Sequence, residues 1–349
     1  MADFLALGCG LVGQFVVKKL SQLGHSLHVI DLHIGDDIKL LQNVSFEEGD
    51  VFSLITEKQH RIAINMLPGR IGQEIRGRLL NLDYDVIDIA FTDTNPEIHD
   101  ELAREKKLRL IWDVGIAPGL SNMIVKLASL QNNELNKIAI KVGGNPRNPD
   151  GNWSYMAPFS PSDVIEEYTR PARIVSNGKI ETVPALSERH QIDATGYGKM
   201  EAFLTDGVRS LLTSVQCDEI KEYTVRWPGH IDKWLMEKDK ISEQELLEMW
   251  KFDSKRAEFT WMSVIIEADN KTQNWIVSDD GKAGASSMAR TTGLVTVACA
   301  LQLLNPTSSL QMNVDYGVIP PEGLDEQTIT RVIEFLKSED VKISVSFKE

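Results

Sequence analysis

Residues 3–13 read DFLALGCGLVG and decide the fold of the amino-terminal part of the chain. The apolar residues before Gly8 predict a buried strand, and the residues after Gly10 predict a helix, so the glycines form a GxGxxG turn between the two. Such a turn bends tightly at its first glycine, admits a pyrophosphate at its second and packs helix on strand at its third. We therefore predict a dinucleotide phosphate site at Gly8, Cys9, Gly10, Leu11, Val12 and Gly13.

The second predicted strand, LHVID, ends in Asp31, eighteen positions after Gly13. A carboxylate at this place accepts hydrogen bonds from the hydroxyls of the adenosine ribose, which separates a nucleotide site from a purely structural glycine turn. The same carboxylate repels a 2′-phosphate, and no arginine follows it closely. The sequence therefore favours NAD as the cofactor, with NADP as the alternative.

Further cofactor contacts are expected where later strands of the same sheet end. Ligands of open α/β sheets gather at the carboxyl ends of the strands. Each residue there also has a plain structural interpretation, as part of a loop or as a helix cap. The residues assigned to the cofactor on this ground are Asp50, Asn65, Leu67, Pro68 and Phe91.

Strands and helices alternate through the first third of the chain, which is typical of βαβ units in a parallel, doubly wound sheet. From Leu135 the pattern changes to strand-like segments and a turn-rich loop, NPRNPDGNWS. This pattern predicts a second, more antiparallel sheet, and residues 287–304 predict a long helix rich in small residues. The fold class is therefore α/β.

The composition argues against several function classes. A formal net charge of −14 leaves duplex nucleic acid no evident basic face. The seven histidines and three cysteines show no ligand-like spacing, so we expect no metal. No apolar run approaches the roughly 18 residues of a membrane span, and residues 1–10 lack the basic start of a signal peptide. We expect a cytoplasmic protein that acts on a small molecule.

Two residues are candidates for proton transfer. Asp113 leaves a strand and begins DVGIAPGLSN, where the glycines leave space for a flat ring. His230 closes TVRWPGH, and an unperturbed imidazole titrates near pH ~6.5. An aspartate at a turn and a structural histidine are the alternative interpretations.

Four residues are candidates for substrate binding. Arg209 and Arg226 suit a carboxylate, because a guanidinium donates a bidentate pair of hydrogen bonds. Thr205 and Asp206 lie four and three positions before Arg209, and Asp206 suits an ammonium group. A surface turn with a local ion pair explains the same spacing.

Eight segments together resemble the saccharopine dehydrogenase-like family, and within it the compact lysine 6-dehydrogenase type. Several such segments in one order are more specific than a glycine turn alone. The segments are GCGLVG at 8–13, DVGIAPGLSN at 113–122, KVGGNP at 141–146, EEYTRPARIVSNGK at 166–179, EAFLTDGVRSL at 201–211, TVRWPGH at 224–230, ARTTG at 289–293 and GVIPPE at 317–322.

The resemblance implies a Rossmann-type doubly wound parallel sheet with a second, mixed α/β domain inserted before a C-terminal return segment. On this basis residues 1–122 plus 287–349 form the dinucleotide-binding domain. Residues 123–286 form the substrate-binding domain, which also carries a homodimer interface.

The resemblance also implies an NAD(P)-dependent oxidoreductase acting on a CH–NH bond of an amino acid. The expected reaction is oxidative deamination of L-lysine at the ε-amine, with Asp113 or His230 transferring the proton and Arg209 with Arg226 binding the carboxylate. A saccharopine- or carboxyspermidine-type reductase and a non-catalytic dinucleotide sensor are the alternatives.

Overall fold

The computed structural model describes residues 2–92, 94–132, 134–158, 161–282, 284–304 and 312–348. The chain forms two compact units, Met1–Met123 with Thr292–Leu336 and Ile124–Thr291 with Lys337–Glu349. The strands are β1 (Ala2–Leu7), β2 (Leu27–Asp31), β3 (Val44–Glu48), β4 (His60–Asn65), β5 (Asp85–Asp88), β6 (Arg109–Ile111), β7 (Leu135–Pro146), β8 (Ala172–Ser176), β9 (Lys179–Val183), β10 (His190–Ala194), β11 (Gly198–Leu204), β12 (Cys217–Arg226), β13 (Glu258–Ala268), β14 (Lys271–Asp279), β15 (Gly317–Ile319) and β16 (Lys342–Lys348). The helices are α1 (Leu11–Gln22), α2 (Asp36–Lys39), α3 (Val51–Leu54), α4 (Gly69–Asn81), α5 (Asp100–Glu105), α6 (Leu120–Gln131), α7 (Pro161–Thr169), α8 (Leu211–Ser214), α9 (His230–Glu237), α10 (Glu243–Met249), α11 (Ser287–Leu304) and α12 (Glu326–Ser338).

A parallel sheet of seven strands forms the first unit, in the order β15-β6-β5-β4-β1-β2-β3. Every neighbouring pair in it is parallel. The side chains of β1 and β4 are mostly buried, as expected where helices cover both faces of a sheet. The strand order 3-2-1-4-5-6 within it is that of a Rossmann sheet, which confirms the predicted fold class.

Helix α4 illustrates how the helices of this unit are held. Its apolar residues Ile75, Leu79 and Leu80 follow the helical period and are fully buried in the core. Burial of each such side chain stabilises the fold by about 1.5–3 kcal/mol. Arg76 on the same helix is buried as well, because its guanidinium pairs with Asp88 at the end of β5.

The second unit contains a mixed sheet of nine strands. Its main path is β10-β11-β12-β7-β13-β14-β16, and β8 joins β12 to β9. The pair β12 and β7 is parallel, whereas the other pairs are antiparallel. Alternate residues of β11 face opposite sides, so Leu204 enters one apolar core and Phe203 enters a second, aromatic core.

The C-terminal strand lies in a different unit from the one predicted. Residues 337–349 belong to the second unit, where β16 runs antiparallel to β14. The predicted return of residues 287–349 to the dinucleotide domain therefore does not extend to this strand. Its alternating sequence, KISVSFK, suits the edge of any sheet, so the pattern alone does not select the partner strand.

Among the described residues, α11 is the one helix long and apolar enough to pass a test for a membrane span. In the folded protein, 83% of this 18-residue segment is buried, as in the core helix of a folded unit. Its small residues allow close packing inside the first unit, since a Cβ on Gly293 would lie 2.5 Å from the Phe15 ring of α1. The predicted long small-residue helix is confirmed over Ser287–Leu304.

Candidate functional site

The predicted phosphate turn lies between β1 and α1, and its glycines meet different steric demands. Gly8 has φ +92°, and a Cβ on it would lie 2.6 Å from the Met66 carbonyl oxygen. A Cβ on Gly13 would lie 2.3 Å from the Gly8 carbonyl oxygen. Nothing lies within 4 Å of the Cβ position of Gly10. The first and third glycines are therefore needed by the fold, whereas the second borders the open space that a pyrophosphate requires.

Helix α1 begins at this open space. Gly10 is its N-cap and makes no side-chain capping bond, and the first turn contains no acidic residue. Leu11 and Val12 are the first two helical residues. The N–H groups of the first turn, at the positive end of the helix dipole, are thus available to an anion.

Asp31 ends β2 beside the turn, as predicted. Its Oδ2 accepts a hydrogen bond from the backbone N–H of Cys9, and its Oδ1 accepts one from the backbone N–H of His33 at 3.2 Å. Burial, together with the charge of Asp31, raises the pKa of the Cys9 thiol to about 12. Cys9 therefore acts through its main chain and keeps a neutral side chain, while Asp31 holds the turn in place.

Two predicted cofactor residues have structural bonds of their own. Asp50 caps α3, where its carboxylate accepts from the Ser53 N–H at 3.1 Å and from the Ser53 hydroxyl at 2.8 Å. Asn65 is fully buried, and its amide donates to the Gly72 carbonyl at 3.1 Å and to Asp88 Oδ1 at 3.2 Å. Asp50 thus stabilises the start of α3, and Asn65 links the end of β4 to α4 and to the end of β5.

Leu67, Pro68 and Phe91 shape the loops after β4 and β5. Leu67 is buried, and Pro68 is the N-cap of α4. Gly69 follows, and a Cβ on it would lie 2.0 Å from the Phe91 carbonyl oxygen. The two loops therefore meet main chain to main chain at the carboxyl end of the sheet.

Asp113 follows β6 in a buried and sterically restricted position. Its φ is +54°, a region that costs a non-glycine residue about 1–3 kcal/mol unless the surroundings fix it. In the loop that follows, a Cβ on Gly119 would lie 1.9 Å from the Gly115 carbonyl oxygen. Asn122 then donates to Glu322 Oε2 at 3.1 Å. Asp113 is therefore part of a rigid loop.

In the second unit, a chain of hydrogen bonds joins Arg226, Tyr168 and His230. Arg226 Nε donates to Tyr168 Oη at 2.8 Å, and Tyr168 Oη lies 3.0 Å from His230 Nε2. His230 Nδ1 lies 2.9 Å from the Trp153 carbonyl oxygen. Because a carbonyl oxygen only accepts, Nδ1 carries the hydrogen and Nε2 accepts the hydrogen of Tyr168.

His230 is the buried, neutral end of this chain. It is 2% exposed, and burial, followed by the charge of Arg226, lowers its pKa to about 3. Both ring nitrogens are engaged, so the imidazole orients the Tyr168 hydroxyl. Direct proton transfer from a substrate to His230, as the sequence predicts, would first require the Tyr168 contact to break.

Aromatic rings surround the Arg226 guanidinium. Its carbon lies 4.6 Å from the ring centre of Tyr155 and 5.7 Å from that of Tyr168. Burial raises the pKa of Tyr155 to about 12, so its hydroxyl remains a donor. Arg226 contributes a hydrogen bond that lowers this pKa, and within the described part of the chain no acceptor is found for the hydrogen of the hydroxyl. Such a group costs about 1–3 kcal/mol, which an acceptor atom of a ligand would offset.

The other predicted substrate residues contact protein groups. Asp206 is buried, and its two oxygens accept a bidentate pair from Arg173 at 2.9 and 2.8 Å. The predicted ammonium site at Asp206 is thus filled by a guanidinium of the chain itself. Thr205 Oγ1 lies 2.6 Å from Glu222 Oε2. Arg209 is buried in the turn before α8, with φ +56°.

Sequence reasoning missed Glu222, Thr224 and Glu167, which form a polar group near Arg226, with Glu222 and Thr224 buried and Glu167 partly exposed. The signal was present, since Glu222, Thr224 and Arg226 occupy alternate positions of KEYTVRW and so share one face of β12. Polar residues at every second position usually indicate a solvent face. The packing of α7 against β12, through Glu167 and Tyr168, buries this one instead.

Comparison with known proteins agrees with the architecture. The model of the saccharopine dehydrogenase C-terminal domain family matches residues 115–341, more than half of the chain. Apo histidine-tagged saccharopine dehydrogenase (L-Glu forming) from Saccharomyces cerevisiae is similar over 100% of both chains, with 13% identity and a TM-score of 0.78. At this identity the likeness establishes the fold alone.

Two further structures match more distantly, each at 8% identity. GenD2 from gentamicin A biosynthesis, in complex with NAD, matches 100% of this chain and 96% of its own at a TM-score of 0.45. An oxidoreductase from Agrobacterium radiobacter, in complex with NAD+, L-tartaric acid and magnesium, matches 96% of this chain and 94% of its own at a TM-score of 0.44. Both scores are too low to support an argument about this chain.

The family match begins at Gly115, inside the DVGIAPGLSN loop of the first unit and after Asp113, and it includes the polar chain around Arg226 of the second unit. The Rossmann strand order accounts for the residues that precede it. The chain therefore belongs to the saccharopine dehydrogenase-like family of oxidoreductases.

Proposed function

We propose that this protein is an NAD-dependent amino-acid dehydrogenase that oxidises L-lysine at the carbon bearing its ε-amine. The observation that carries the proposal is the open space at Gly10, bordered by the uncapped start of α1 and by the Asp31 carboxylate. Family membership supports redox chemistry at a carbon–nitrogen bond.

The first unit is proposed to bind the cofactor. The N–H groups at the start of α1 bind the pyrophosphate, and Asp31 binds the ribose hydroxyls and disfavours a 2′-phosphate. When bound, the nicotinamide supplies a hydride acceptor for the substrate carbon. Two glycines that the fold itself requires, Gly8 and Gly13, keep this turn in one conformation.

The second unit is proposed to bind the amino-acid carboxylate. Arg226 supplies the cation, and the Tyr155 hydroxyl beside it supplies a further donor, since none of the described residues accepts its hydrogen. Tyr168 and His230 orient the guanidinium, because their hydrogen bonds fix its Nε edge. Arg209 is proposed as the second carboxylate ligand.

Asp113 is proposed as the proton acceptor. The amine must be neutral before the hydride can leave the adjacent carbon, so a base has to take its proton. The loop around Asp113 is rigid, which keeps the carboxylate in one place. Water then hydrolyses the resulting imine, and the aldehyde formed cyclises with the α-amine.

The test is absorbance at the reduced-nicotinamide band while NAD and the protein are offered lysine, saccharopine, other diamines and other amino acids. Absorbance that rises with lysine is the expected result. A signal only with secondary amines would replace the proposal with saccharopine- or carboxyspermidine-type chemistry. NAD binding without turnover of any substrate would favour a dinucleotide sensor.

A further inference from the structure

A row of oxygen atoms runs through the second unit from Glu222 to Arg226. Glu222 Oε2 lies 2.6 Å from Thr205 Oγ1, which lies 2.9 Å from Thr224 Oγ1. Thr224 Oγ1 is hydrogen-bonded to Glu167 Oε1, and Glu167 Oε2 lies 3.6 Å from an Arg226 nitrogen. Glu222, Thr205 and Thr224 are all buried.

Counting hydrogens in this row locates an extra proton. Three contacts link Glu222 to Glu167 by way of Thr205 and Thr224. The two threonine hydroxyls supply only two hydrogens for these three contacts. The third contact is a hydrogen bond only if one of the two carboxyls is protonated. Glu167 is the more exposed of the pair and faces the Arg226 guanidinium, so it keeps the negative charge. The proton therefore belongs to Glu222.

The surroundings of Glu222 agree with a neutral acid. Burial, as the largest cause, raises the pKa of Glu222 to about 8. A Cβ on Gly207 would lie 2.4 Å from Glu222 Oε2, so the main chain closes tightly over the carboxyl. Desolvation strongly disfavours an unpaired carboxylate in such a place.

We propose that Glu222 carries a proton in the resting protein and that this proton sets the charge balance around Arg226. The inference rests on the proposed function, in which Arg226 binds the substrate carboxylate. The charged groups that face Glu222 are Glu167 from α7, Asp206 from the turn after β11 and Arg226 from its own strand. Asp206 is in turn paired with Arg173 of β8.

With Glu222 neutral, two carboxylates are balanced by two guanidinium groups. Ionisation of Glu222 adds a negative charge to this group and repels an incoming carboxylate. Carboxylate affinity is therefore highest when Glu222 is protonated and falls as the pH rises through its titration. By linkage, a bound carboxylate strengthens proton binding at Glu222.

The first test needs no ligand. Infrared difference spectra of the full chain between pH about 7 and about 9.5 should show loss of one protonated-carboxyl band. The band should be absent from Glu222→Gln and present in Glu219→Gln, a change on the opposite face of the same strand. No band in the wild type, or the same band in Glu222→Gln, would overturn the proposal.

A second pair of variants tests the row itself. Thr205→Val removes the hydroxyl that links Glu222 to Thr224, so the midpoint of the infrared titration should differ from that of the wild type. Thr205→Ser keeps the hydroxyl and should keep the midpoint. Equal midpoints in the two variants would contradict a proton shared through Thr205.

The third test uses glutarate, which has carboxylates and no oxidisable amine, with calorimetry in the presence of NAD. Wild-type affinity should fall about tenfold between pH about 7 and about 9.5, whereas Glu222→Gln should keep one affinity throughout. Equal pH dependence in both would overturn the inference and leave the dehydrogenase proposal intact. No glutarate binding at either pH, with the infrared band present, would instead remove Arg226 as the carboxylate ligand and with it the link from Glu222 to binding.

Discussion

At the scale of single residues, Asp31 is the direct test of the cofactor assignment. Asp31→Ser removes an ionised acceptor for the ribose hydroxyls and the charge that repels a 2′-phosphate. We expect NAD affinity to fall about tenfold and the preference over NADP to narrow. Fluorescence titration with both nucleotides measures this, with the exposed Asp36→Ser as the matched control. Unchanged affinities for both would remove Asp31 from the site.

Arg226 tests the carboxylate site. Arg226→Lys keeps the charge but loses the planar contacts with Tyr155 and Tyr168 and the bidentate geometry. We expect KM for lysine to rise about tenfold or more, with a smaller change in kcat. Arg189→Lys, a change in a partly exposed ion pair, is the control. A saturation curve like that of the wild type would exclude Arg226, and the same measurement on Arg209→Lys tests the second ligand.

His230 should remain neutral well below the usual range of histidine. Since the folded pKa of about 3 lies below the unfolded value, the unfolded chain binds the proton first as the pH falls. Proton uptake by this histidine in the unfolded chain therefore lowers the free energy of unfolding by about 1.4 kcal/mol for each pH unit, as the pH falls from about 6 to about 3. Its ring signals in nuclear magnetic resonance, assigned by their loss in His230→Asn, should stay constant from pH about 7 to about 5. A titration inside that window would contradict the buried tautomer.

Residue types could be predicted here better than residue roles. The segment TVRWPGH identified Arg226 and His230 as candidate site residues, because it places a guanidinium and an imidazole next to a Pro-Gly turn. Their roles depend on partners far away in sequence, such as Tyr168 and the Trp153 carbonyl. The ion pair of Asp206 could not be predicted for the same reason, since its partner Arg173 lies on another strand.

At the scale of elements, the turn between β1 and α1 contains one glycine that tests folding and another that tests cofactor binding. A Cβ on Gly13 would clash with the Gly8 carbonyl oxygen, whereas the Cβ position of Gly10 is open. We expect Gly13→Ala to lower the melting temperature clearly, and Gly10→Ala to leave it unchanged while weakening NAD binding about tenfold or more. Thermal unfolding and nucleotide titration of both variants measure the two effects. Gly10→Ala with wild-type NAD affinity would show that the open space does not hold the pyrophosphate.

Elements with a strong local pattern could be predicted, and elements defined by distant partners could not. β1, α1 and β2 follow from alternation, a glycine turn and an acidic strand end within a few dozen residues. The long α11 follows from its composition. The sequence pattern assigned β16 to the dinucleotide-binding domain, whereas β16 pairs with β14 of the second unit. The position of an edge strand depends on the sheet with which it pairs. The polar face of β12 was hidden for the same reason, since α7 decides its burial.

At the scale of the whole molecule, the fold and the family fix the class of chemistry, and the substrate depends on a few buried groups. A Rossmann sheet serves many reactions, so the strand order alone does not select an amine. In the proposed function, the cluster of Arg226, Tyr155 and Tyr168 binds the carboxylate of the substrate. The identity of the carbon that loses the hydride then defines the reaction of the enzyme.

The most direct measurement uses NAD with lysine deuterated either at the carbon of the ε-amine or at the carbon of the α-amine. Mass spectrometry of the reduced nicotinamide then reports which carbon donated the hydride. We predict deuterium in the cofactor from the ε-labelled lysine and none from the α-labelled lysine. Deuterium from the α-labelled lysine, or no transfer from either, would contradict oxidation at the ε-amine.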